Sequence, residues 1–176
     1  MNDVTDIALM QQVAKGDEQA LHILIDRYRE CLYRLAYSLL GDSMAEDAVQ
    51  ETFIQMWTYA HRYNPHHSLS TWLYTICCHK CYDELRHRRR RRKAVEKMPE
   101  IAIEEKDLES KELLALLHWA TALLPPKQQI VYLLREIEGL STEQTMAVTQ
   151  MTSDQVKANL WSARNAVKEK LKQYGI

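Results

Sequence analysis

The chain has 176 residues, enough for one domain or two small ones. Four Gly, four Pro and a single Phe argue against a turn-rich sheet protein and for an all-α fold. The net charge of −1 by itself points to no polyanionic partner, yet the charge is segregated: Arg86 to Lys93 is almost wholly basic, while Glu96 to Glu109 is mostly acidic.

Ile7, Met10 and Val13 predict a short first helix ended by Gly16. Asp17 is the N-cap of a long second helix, whose stripe is Leu21, Leu24, Ile25, Tyr28, Leu32, Leu35, Ala36 and Leu39. Gly41 ends it. Ser43 and Glu46 form a capping box for the third helix, which buries Ala45, Val49, Thr52, Phe53 and Met56. Its other face carries Asp42, Glu46, Asp47, Gln50, Glu51 and Gln55, a pattern that on its own suits a solvated surface. Tyr63 to Leu69, with Asn64-Pro65 and two His, is a loop. Ser70 or Thr71 caps the fourth helix, which turns Trp72, Leu73, Ile76, Cys77, Cys81 and Leu85 inward. The helix then runs into the basic stretch. Cations near aromatics (Trp72, Tyr74, Tyr82) suit a nucleic acid, since Arg and Lys meet phosphates and aromatic faces meet unstacked bases. Such density exceeds what a helix C-terminus needs.

Residues 94–110 form an acidic, flexible linker. It separates an N-terminal four-helix unit, 1–93, from a C-terminal four-helix unit, 111–176. The latter opens with a helix around Leu113, Leu114, Leu117 and Trp119. Pro125-Pro126 starts the next, with Ile130, Val131, Leu134 and Ile137, closed by Gly139. Two capped helices come after it. Ser141 and Gln144 form one capping box, and Thr152 and Gln155 a second. Met151 and Val156 have the spacing of a hydrophobic staple. Val156, Leu160, Ala163, Val167 and Leu171 make the buried stripe of the last helix. This is a helix-turn-helix outline, shared by DNA readers and by ordinary helical hairpins.

No secretory leader is visible at Met1-Asn2-Asp3, and no apolar run reaches membrane length, so no membrane insertion is expected. Cys77, Cys78 and Cys81 crowd together and suggest no disulfide framework, which fits a reducing cytoplasm. On a helix Cys77 and Cys81 share a face while Cys78 and His79 do not, so buried thiols are favoured over a metal site. A partly exposed Cys78 is the weaker alternative. Phosphate-cradling loops and catalytic constellations are absent from the sequence. The expectation is a non-enzyme without metal or cofactor.

The order of these parts resembles the extracytoplasmic-function (ECF) sigma factors, the small branch of the sigma-70 family. The residues that carry the resemblance are 9–20, Asp42 to Trp57, Trp72 to Ile76 with the basic run, Leu124 to Gln129, and Glu138-Gly139-Leu140-Ser141. It implies a transcription initiation factor that binds core RNA polymerase and directs it to promoters. The polar face of Asp42, Glu46, Asp47, Gln50, Glu51 and Gln55 would meet the beta-prime clamp helices, and the C-terminal unit the beta flap. Tyr63, Asn64, His66 and His67 would lie in the loop that captures a flipped base of the −10 element. Trp72, Tyr74, His79, Tyr82, Arg86, Arg88, Arg89 and Arg90 would meet the melted strand. Ser153, Asp154, Gln155, Lys157, Ala158, Asn159, Trp161 and Arg164 would face the −35 duplex. An anti-sigma factor is the further partner implied. The chain departs from the family pattern at Gln150, where a turn Gly is usual, and at Thr145, Thr149, Cys78 and His79. The alternatives are a stand-alone helix-turn-helix regulator and an anti-sigma or adaptor protein.

Overall fold

The computed structural model describes residues 5–92 and 108–173; the side chains of residue 42, of 88–92 and of 108–111 are outside that description. The expected linker, 94–110, lies outside the described residues except for 108–110, which are not linker but the start of α5; the side chains of Asp42, Arg88, Arg89 and Arg90 are also outside the description. Eight α-helices and no strand occur among the described residues: α1 (Asp6–Val13), α2 (Glu18–Leu40), α3 (Asp42–Thr58), α4 (Leu69–Arg92), α5 (Leu108–Thr121), α6 (Pro126–Tyr132), α7 (Thr142–Thr149) and α8 (Ser153–Gln173). No helix is long and apolar enough to cross a membrane.

Local chemistry sets most helix ends. Asp17 accepts from the backbone N–H of Gln19 at 2.9 Å and of Ala20 at 3.1 Å, capping α2. Ser141 and Gln144 exchange both bonds of their capping box, and so do Thr152 and Gln155. Pro126 sits in the first turn of α6, where its missing N–H costs nothing.

Two expected starts move. The Ser43 capping box does not form: α3 begins at Asp42, with Gly41 as its N-cap and no side-chain capping bond. Gly41, at φ 80°, ends α2 and starts α3, which leaves no room for a separate cap. Helix α4 begins at Leu69, ahead of Ser70 and Thr71, because Leu69 is drawn into the core at 2% exposure.

Helix α6 runs on as a π-helical turn, Leu133–Ile137, closed by Glu138 N–H donating to the Leu133 carbonyl at 2.9 Å. A single π turn shifts the angular position of every later residue on its helix. Here the residue directly after the turn is Glu138.

One apolar core joins the two halves. Leu24, Leu32, Leu35, Met56 and Leu73 from α2–α4 share it with Ile130, Val131, Leu134 and Val148 from α6, the π turn and α7. Helix α7 packs along α4, and α5 along α2. A smaller cluster of Ala120, Leu124, Ala163 and Val167, with Trp119, Tyr132 and Leu171, secures α8. Buried Thr52 and Thr145 donate to the carbonyls one turn back, Ala48 and Ser141, at 2.7 and 2.8 Å. That bond lets a hydroxyl occupy an aliphatic site.

Gln150 takes the left-handed conformation, φ 59° and ψ 25°, and is the single described non-Gly residue with positive φ. The turn geometry thus survives without glycine, at a cost of about 1–2 kcal/mol for a residue with a Cβ. Gln150→Gly is expected to stabilise the chain by about 0.5–1 kcal/mol, the larger unfolded-state entropy of Gly offsetting part of the gain. Urea unfolding would measure it, and a loss of stability would contradict the expectation.

Candidate nucleic-acid interface

The helix-turn-helix is α7 and α8. Val156, Leu160, Ala163 and Val167 are buried, so the other sides of α8 face outward. Asp154, Gln155, Lys157, Ala158, Trp161 and Arg164 are exposed, while Ser153 and Asn159 are partly covered. Trp161, at 70% exposure, is the largest outward group on the helix. The two amides are not idle. Gln155 Oε1 accepts from Thr152 N–H at 3.0 Å, and Asn159 Nδ2 donates to the Gln155 carbonyl at 2.7 Å. Arg164 pairs with Glu136 at 2.6 Å.

The loop before α4 is shaped by Asn64. Its Oδ1 accepts from His66 N–H at 3.0 Å, and its carbonyl from His67 N–H at 3.0 Å. Tyr63 donates to the His67 carbonyl at 2.8 Å, and its ring lies 5.5 Å from that of Trp72. Asn64, His66 and His67 are exposed on this backed turn. His79 and Arg86 are exposed farther along α4.

Tyr74 and Tyr82 are placed differently from their neighbours. Tyr74 is 5% exposed and donates to Glu138 Oε2 at 2.8 Å. Tyr82 is partly buried and donates to the Pro126 carbonyl at 3.5 Å. Burial pushes both phenols above the ordinary range. Both are occupied by the C-terminal half.

Cys77, Cys78 and Cys81 are each buried to 1% exposure or less. A partly exposed Cys78 is therefore ruled out: α7 and the core cover its side of α4 as well. Desolvation lifts the Cys78 thiol well above its usual range; a thiol–thiol hydrogen bond with Cys77, then desolvation, does the same for Cys81. These thiols are packing groups. No group of three or more metal-ligating side chains occurs among the described residues.

On α3, Glu46, Asp47, Gln50 and Glu51 are exposed and Gln55 is half-buried, with Arg29 on Glu46 and Lys80 on Glu51, each at 3.1 Å. Ile54 and Trp57 share this outer surface at 57% and 37% exposure. The polar pattern of the helix does not reveal them. Their signal in the sequence is two large apolar side chains standing off the buried stripe.

Residues 24–91 match the model of Sigma-70 region 2. The likeness extends through the C-terminal half. The ECF RNA polymerase sigma-E factor of Escherichia coli strain K12 is 27% identical over 181 residues, spanning 96% of this chain and 95% of the relative. Over nearly its whole length the chain is similar to sigma factors of the extracytoplasmic-function branch of the sigma-70 family. It is also 26% identical to SigW of Bacillus subtilis strain 168 over 177 residues, covering 93% of this chain and 95% of SigW. Among solved structures it is similar to the sigma factor RpoE in complex with the anti-sigma factor NepR from Bartonella quintana: TM-score 0.72, 26% identity, 88% of this chain and 96% of that one. These likenesses support a promoter-directing transcription initiation factor.

Proposed function

We propose that this sigma factor divides promoter reading between two units, roughly residues 1–93 and 111–176, joined through 94–110. Helix α8 enters the major groove of the −35 element. The Asn64 turn and α4 hold the −10 strand after it is unstacked. The outer face of α3, Glu46 to Gln55 with Ile54 and Trp57, docks on the clamp helices of core polymerase, and the C-terminal unit meets the beta flap. Catalysis belongs to the polymerase, so the chain works in the cytoplasm as a specificity factor. An anti-sigma factor is the further partner, by analogy with the NepR complex.

The observation that carries this reading is the segregation of the surfaces. The acidic and amide face of α3 lies on one helix, and outward cations lie on others: Arg86 on α4, Lys157, Arg164 and Lys168 on α8. A stand-alone DNA regulator would need the second surface and not the first.

Run-off transcription with core polymerase and a library of promoter variants, at two salt concentrations, is the test. Gln155→Ala is expected to change preference within the upstream element by about 1–3 kcal/mol. It should also weaken the start of α8 by about 1 kcal/mol through loss of the capping box. Neutralising Arg86 and Arg88 is expected to weaken all promoters alike and to flatten the salt dependence, because phosphate contacts carry charge and no direct sequence code. If Gln155→Ala scales every promoter equally while the arginine changes rewrite the preferred sequence, the assignment is wrong.

A further inference from the structure

Glu138 is the most buried carboxylate in a described ion pair, its side chain 2% exposed. It comes directly after the π turn and reaches across to the N-terminal half. Arg34 of α2 donates to it twice, Nε to Oε1 at 2.7 Å and Nη2 to Oε2 at 2.8 Å. Tyr74 of α4 supplies a third bond at 2.8 Å. Nearby, the Ser38 carbonyl of α2 is met at 2.9 Å by His118 Nδ1 and at 3.0 Å by Gln129 Nε2, both from the C-terminal half. The contacts converge on one seam, and the seam covers the side of α4 that carries Tyr74 and Tyr82.

We infer that Arg34, Glu138 and Tyr74 form a latch that holds the free chain closed, and that closure and strand holding compete for the same face of α4. The inference rests on the proposed strand-holding role of α4. Its physical basis is asymmetric. A paired, fork-to-carboxylate bond stabilises the closed form. A buried carboxylate without its cation destabilises that same form, and opening relieves it by admitting water. Removing Arg34 therefore does more than subtract a contact; it makes closure unfavourable. Removing the charge from Glu138 as well takes that penalty away.

The free full-length chain supplies the test. Its radius of gyration is read by small-angle scattering, and its affinity for a fluorescein-labelled, random-sequence single-stranded DNA by anisotropy. Arg34→Met is expected to enlarge the chain and to tighten strand binding by about tenfold or more, the factor by which closure holds back the competent form. The double variant Arg34→Met/Glu138→Gln is expected to return most of the way to wild type. Arg34→Lys, which keeps the charge and loses the fork, should fall between. A merely structural role would lower binding in every variant and would not be rescued by the second change. Unchanged size and affinity in Arg34→Met overturns the latch, and so does a double variant that binds as tightly as the single one. If Arg34→Met loses its helical circular dichroism, Arg34→Lys decides, and wild-type affinity there overturns the latch. Run-off transcription with core polymerase separates the two levels. Normal transcription with unchanged strand affinity overturns the latch alone, whereas no transcription and no strand binding by any form undoes the functional reading as well.

Discussion

Asp47→Lys/Glu51→Lys should weaken binding to core polymerase by about 2–4 kcal/mol, roughly 30- to 1,000-fold in Kd. Both side chains are exposed on α3, and the reversal places two cations where the proposed dock needs anions. The fold should barely register the change. Glu51 pairs with Lys80 at 3.1 Å, but the two are 54% and 31% exposed, and a surface pair of that kind is worth about 0–1 kcal/mol. Titration of labelled core enzyme with the variant measures the loss, with circular dichroism as the control for helicity. Wild-type affinity in a helical variant would remove α3 from the dock.

Leu134→Ala should be the most damaging single truncation in the C-terminal half, costing about 2–5 kcal/mol. Leu134 is fully buried in the π turn and lies in the core common to both halves. The turn holds Glu138 against Arg34, so the backbone around a cavity there has little freedom to collapse. Urea unfolding followed by circular dichroism gives the value. A loss under about 1 kcal/mol would mean that the site closes over the missing methyls and that the shared core is loosely packed.

The parts of this architecture that depend on neighbouring residues were legible in the sequence. Asp17, Ser141 with Gln144, and Thr152 with Gln155 cap helices using partners two or three positions away, and each does so in the structure. The apolar stripe of α8 was readable for the same reason. Gly41 was half-legible: its role in ending α2 was visible, its second role in starting α3 was not, and the Ser43 box was misplaced as a result. Tyr74 shows the limit more sharply. Its place on an aromatic-rich helix beside the basic run, and the family resemblance, marked it as a strand contact, but neither carries information about what covers a face, and the covering group is a carboxylate far along the chain. Nothing local marks Arg34 and Glu138 as partners. The π turn that aims Glu138 has no sequence signature of its own.

The bonds across the seam span long stretches of chain: 91 positions from Ser38 to Gln129, and 104 from Arg34 to Glu138. Contacts within each helical unit are far more local, and local contacts form first because closing long loops costs entropy. Assembly is therefore expected in two acts, the helices of each unit condensing early and the units docking last. During synthesis the N-terminal unit emerges first. Until the ribosome has delivered Glu138, Arg34 and the flank of α4 lack the carboxylate that joins them, and a nascent chain meets its surroundings in the open form.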